Sequence, residues 1–195
     1  MSEVDEAVDG DALLASSRRL DWRFLLPQPH LGRVLCVGHP DDDLLGSLAR
    51  FSDHLETDLD ATEAASADVA VAVAPTEADL ADCARLLQPG GWLYVEYPRS
   101  PRRSLSRRPS PRRRMRQRTL RDLGFEDVTA HGHWPTIVTA TEIVPLQDRA
   151  ALALALARHL GPATRALRGP AARVLARTGV LERMAPEVSV VARRP

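Results

Sequence analysis

The chain has no lysine at all, only two cysteines, few aromatic residues (three Trp, two Tyr, three Phe) and no long apolar run. Without lysine, all 26 basic residues are arginine, which reflects a GC-rich coding sequence as much as selection on the protein. Two cysteines, Cys36 in a predicted buried strand and Cys83 in a predicted helix, make no disulfide framework, and a reducing cytoplasm is the expected compartment. The start, Met-Ser-Glu-Val-Asp-Glu, is acidic and carries no apolar stretch of signal-peptide length. Ala150–Ala157, the longest apolar helix candidate, is far short of the roughly 20 residues needed to span a bilayer, so no membrane role is expected. One further absence is local. Residues 99–118 hold ten arginines and no acid, leaving 16 arginines against 26 acids elsewhere, although the net charge is zero.

A length of 195 residues suits one domain with a sizeable core. Residues 1–12 read as a disordered acidic tail and 13–195 as a single domain. Asp21–Pro27 (Asp-Trp-Arg-Phe-Leu-Leu-Pro) should cover one end of a sheet. A strand at 33–37 leads to a helix at 43–52, and a weak strand follows at His54–Asp58. Asp68–Ala74 alternates Val and Ala as a strand buried on both faces does. Thr76-Glu77-Ala78-Asp79 is a capping box for a helix to about Gln88, which Gly90-Gly91 should end. Trp92–Tyr97 is the clearest strand, and a Pro/Ser/Arg-rich loop follows at 98–114. Helical spacing resumes to Gly124; Phe125–Trp134 and Glu187–Ala192 are further strands, and 147–184 is a helical insertion. Strands alternating with helices predict an α/β fold with a mostly parallel sheet covered on both faces.

The most informative stretch is Arg33–Asp42, Arg-Val-Leu-Cys-Val-Gly-His-Pro-Asp-Asp. It runs from a strand through a turn into a helix, where nucleotide-binding α/β folds place their cofactor loop. Such loops use glycines so that backbone N–H groups can approach a ligand. Here Pro40, which has no N–H, and Asp42 hold two of those places. Asp41, Asp42 and Asp43 suit a helix start as N-cap and dipole partners, and their charge argues against a dinucleotide or nucleoside triphosphate.

Four runs together resemble class I S-adenosylmethionine-dependent methyltransferases. Val34-Leu35-Cys36-Val37-Gly38 is similar to that family's first-strand motif, and Leu86-Leu87-Gln88-Pro89-Gly90-Gly91-Trp92-Leu93 to its "L-L-x-P-G-G-x-L" run before the fifth strand. Leu123-Gly124-Phe125 resembles the "G-F" entry to the sixth strand, and Val188–Pro195 the antiparallel closing strand. The resemblance implies a Rossmann-like sheet, shortened here because residues 59–67 leave no room for the family's third strand and its helix. It also implies S-adenosylmethionine as cofactor, held around Gly38, His39, Asp41 and Ala74, with Glu56 or Asp58 as the acid for the ribose hydroxyls. The family's G-x-G and its acid within the first strand are missing, the latter replaced by Cys36, so weak or absent cofactor binding is expected. No acceptor-specific motif, such as Asn/Asp-Pro-Pro-aromatic, follows Ala74.

Glu96 and Tyr97 lie near the carboxyl end of the best strand, where open α/β sheets bind ligands; Glu96 reads equally as a general base or a solvated acid. His131 and His133 share one strand face and read as an exposed pair beside Trp134. The family strand order would put them four strands, about 19 Å, from His39, leaving no third ligand for a metal. In the arginine segment, Arg107, Arg108, Arg112, Arg113 and Arg114 are candidate anion-binding residues. The absence of aromatics there argues against base-stacking recognition of RNA. Three functions remain open: methyl transfer to a small molecule, a non-catalytic methyltransferase-like domain serving a protein partner, and arginine-mediated polyanion binding.

Overall fold

A computed structural model describes residues 3–98, 112–159 and 187–195. Its strands are β1 (Arg33–Gly38), β2 (His54–Glu56), β3 (Ala67–Val73), β4 (Leu87–Tyr97), β5 (Glu126–Trp134), β6 (Glu142–Pro145) and β7 (Glu187–Arg193). Its helices are α1 (Glu3–Arg19), α2 (Asp42–Phe51), α3 (Glu77–Leu86), α4 (Arg112–Asp122) and α5 (Arg149–His159), with a 3-10 turn at Asp21–Leu25. The seven strands form one sheet in the order β2-β1-β3-β4-β7-β5-β6. β1 to β4 pair in parallel. β7 runs antiparallel between β4 and β5, and β6 antiparallel on the far edge. The fold is therefore an α/β, Rossmann-like, mostly parallel sheet. The expected centre, β1 beside β3 beside β4, is present. Residues 57–66 form turns and bends but no strand, so β2 is the edge.

Alternation sorts the side chains of each strand onto two cores. Val34, Cys36, Val69, Val71, Val73, Tyr94 and Val191 meet the end of α1, the 3-10 turn and α2 through Leu20, Trp22, Leu44 and Leu48. Leu35, Val37, Ala70, Ala72, Leu93, Val95 and Val190 meet the other helices through Leu80, Cys83, Leu86, Leu120 and Leu152. Small alanines on one face of β3 and valines on the other let helices cover both. Local chemistry sets the helix starts. Asp41 accepts the Leu44 N–H at 2.7 Å as the N-cap of α2. Thr76 and Asp79 form the expected capping box of α3.

Several expectations need correction. From Glu3 onward, the supposed tail at 1–12 is the first part of α1. The Asp21–Pro27 segment lies on a sheet face, not across its end, because Trp22 stacks on Tyr94 with ring centroids 4.0 Å apart and planes 7° off parallel. Gly90 and Gly91 do not end α3; they lie inside β4, where Gly90 donates to the Arg194 carbonyl and Arg194 to the Gly91 carbonyl, both at 2.9 Å. Pairing with residue 194 places them in the strand at an irregularity, where the register jumps from Ala67↔Leu87 to Val69↔Trp92 and Gly90 takes φ +82°. β6 was not foreseen; its terminal Pro145 is tolerated because the strand is an edge. The arginine loop overlaps α4, which already includes Arg112, Arg113 and Arg114. Arg107, Arg108 and most of the 147–184 insertion lie outside the described residues.

Candidate functional site

In open α/β sheets ligands bind beyond the carboxyl ends of strands where the chain order reverses. Here that point lies between β1 and β3, since β2 lies to one side of β1 and the later strands to the other. Gly38, His39, Asp41 and Ala74 gather there, with Glu96 on the next strand. The backbone is tightly tied: His39 N–H donates to the Val73 carbonyl and Ala74 N–H to the Glu96 carbonyl, both at 2.9 Å. Gly38 has φ +85°, and a Cβ on it would collide with the Val73 carbonyl oxygen. The approach of β3 alone therefore demands glycine at this position.

Glu96 is neither solvated nor free. It is 2% exposed, and Arg19 from the last turn of α1, itself 5% exposed, grips both its oxygens at 2.7 and 2.9 Å. The guanidinium also lies 3.8 Å from Asp41, on the loop after β1. Burial works against the Arg19 charge, but the Glu96 hydrogen bonds and the Glu96 and Asp41 charges outweigh it, so its pKa lies above the usual value. Cys36 is buried in the same core, and its thiol is pushed up to about 12 by burial and then by the Glu96 charge. It is therefore a packing residue with no thiolate to offer at neutral pH. Tyr97, next to Glu96, packs with the opposite core, so the two do not share a site.

The other candidate acids are elsewhere. Glu56 pairs with Leu35, three residues before Gly38, or about 10 Å along the strand. Its Oε1 accepts the Thr57 and Asp58 N–H groups at 2.9 and 3.0 Å, which lowers its pKa. Asp58 in turn accepts the Asp60 and Ala61 N–H groups. Both carboxylates close their own turns.

His131 and His133 are not an exposed pair: they are 6% and 1% exposed. They share the face of Glu96 through β7, whose Ser189 lies opposite Glu96 on one side and His131 on the other. His133 Nε2 and Ser189 Oγ are 2.7 Å apart. Burial lowers both imidazole pKa values to about 4, so they are neutral at pH 7. No group of three or more His, Cys, Asp or Glu placed to hold a metal occurs among the described residues. No helix among them is long and apolar enough to cross a membrane.

Arg19 and Ser189 were not singled out from the sequence. Arg19 meets a partner 77 positions away, which no local pattern announces. Beside it a cleft of about 830 Å³ opens between α1, the start of α2 and the loop joining β5 to β6.

No family model and no curated protein matches the chain. Among solved structures it is similar to a Haemonchus contortus phosphoethanolamine N-methyltransferase 2 in complex with S-adenosyl-L-methionine (12% identity, TM-score 0.47, 92% of this chain and 52% of that one). A possible histamine N-methyltransferase from Thermotoga maritima gives 14% identity and TM-score 0.48 over 98% of this chain and 96% of that one. A geranyl diphosphate C-methyltransferase from Streptomyces coelicolor gives 14% and 0.48 over 92% and 80%. The chain thus spans about half the length of the first of these. Likeness at this level carries no argument about activity.

Proposed function

We propose that this chain is a methyltransferase-like domain that acts by binding a partner or small molecule rather than by transferring a methyl group. The observation supporting this is the Arg19–Glu96 pair, which fills the strand-end site with the chain's own side chain. The groups that would hold S-adenosylmethionine fit it poorly, because each has another task. His39 N–H is spent on Val73, Pro40 has none, Asp41 caps α2, and Glu56 closes its own turn. Satisfied groups gain little from a ligand. Isothermal titration with S-adenosylmethionine and S-adenosylhomocysteine tests this: no binding tighter than about 1 mM is expected, and a low-micromolar Kd overturns it.

A second reading, methyl transfer to a small molecule, is favoured by the cleft beside Arg19, which has room for an acceptor. It requires α1 to lift and Arg19 to release Glu96. Titration of an R19A variant separates the two, since donor binding that appears only there marks a site hidden by α1. A cytoplasmic location belongs to either reading, as does a polyanion contact through the arginine segment.

A further inference from the structure

The cleft beside α1 has a composition of its own. Its charged walls are Arg18, Arg19, Asp21 and Asp43; Thr139 and Thr141 from the β5–β6 loop face them, and the rest is alanine, serine and valine. Among the described residues no aromatic ring lines it, so none of them stacks on a base or planar ring there. Arg19 is largely neutralised by Glu96, which leaves, among the described residues, one free cation, Arg18, against two carboxylates. A simple anion would meet those carboxylates unfavourably, and a simple cation would leave Arg18 unanswered. Among the described residues no side chain pairs with Arg18, Asp21 or Asp43. Arg19 adds an independent pointer: it is 5% exposed on this wall, and its Nε–H has no acceptor among the described residues. A buried donor without an acceptor is unfavourable, and an anionic ligand group on this wall would relieve it.

We propose that this cleft binds a small aliphatic zwitterion, a carboxylate and an ammonium on one flexible chain. The carboxylate lies on the Arg18–Arg19 wall, the ammonium faces Asp21 and Asp43, and the alanine and valine methyls cover the methylenes between. This deepens the binding-module reading and rests on it in one respect: Arg19 stays on Glu96 while the ligand is bound.

The test is ligand-observed NMR and isothermal titration on the full chain with 6-aminohexanoate, hexanoate and hexylamine. The zwitterion is expected to bind with a Kd in the millimolar range or tighter, and each singly charged analogue about tenfold more weakly. R18Q and D43N alter exposed side chains and leave the Arg19–Glu96 pair in place, and each should weaken 6-aminohexanoate about tenfold. No binding of 6-aminohexanoate up to about 20 mM, equal binding of hexanoate, or unchanged affinity in both variants overturns the proposal. Displacement of 6-aminohexanoate by S-adenosylmethionine at low-micromolar concentration would overturn the non-enzymatic reading and leave the zwitterion site standing.

Discussion

Acidification from pH 7 to pH 5 should destabilise this protein through two side chains buried on the Glu96 face of the sheet. His131 and His133 have folded pKa values of about 4 because burial disfavours the imidazolium, against 6.5 for an unperturbed histidine. A depressed folded pKa means the unfolded chain takes up protons first, so the stabilisation is present above pH 6.5 and is lost as pH falls towards 4. At pH 5 an unfolded imidazole is almost wholly protonated, whereas a native one is protonated about a tenth of the time. Linkage then gives about 2 kcal/mol lost per histidine between pH 7 and 5, and about 4 kcal/mol for two independent sites. For a domain of this size that lowers Tm by about 10 °C. Glu56, also shifted, lies outside the window because its pKa falls below the ordinary 4.5. Thermal melts followed by circular dichroism at pH 5, 6 and 7 measure the effect. A H131Q/H133Q double variant, less stable overall, should lose most of the pH dependence. A flat Tm in the unmodified protein, or the same slope in the double variant, would refute the reasoning.

Removing Arg19 alone should cost about 3–5 kcal/mol, because Glu96 is left charged and buried, whereas R19M/E96L should recover much of that loss; urea unfolding of both variants checks it. G38A should destabilise by more than 2 kcal/mol, since alanine is strained at φ +85° and its Cβ meets the Val73 carbonyl; a small loss would show that β1 and β3 can part. Heparin retention should fall steeply with salt and vanish when Arg107, Arg108, Arg112, Arg113 and Arg114 become Ser, with Tm unchanged; an earlier melt would make that segment structural.

The parts legible in the sequence were those fixed by local pattern. The Val/Ala alternation of β3, the capping box at Thr76 and the apolar run of β1 each constrain the backbone within a few residues. They sufficed to place the parallel centre of the sheet and its carboxyl-end loop. The rest depended on distant partners. Gly90-Gly91 looks like a helix stop until Arg194 arrives to pair with it. His131 and His133 look exposed on a two-residue period until β7 arrives beside them, with Ser189 against His133 on a buried face. Glu96 gave the right position and the wrong environment, because the arginine that buries it comes from a segment whose helix carries no amphipathic signature in its acidic first half. Glu56 had the right spacing from Gly38 but the wrong register, since β2 ends opposite Leu35.

The placement of β7 bears on how the molecule can fail. Among the described strands it is the one hydrogen-bonded link between the β2-β1-β3-β4 group and the β5-β6 pair. Local opening of seven residues, Glu187–Arg193, would therefore bare two strand edges at once. One is β4, whose Leu93, Tyr94 and Val95 are fully buried in the closed sheet. Unpaired apolar edges of this kind recruit strands from other molecules. Self-association should then begin from a nearly native species with its last strand released, at a denaturant concentration below the global unfolding midpoint.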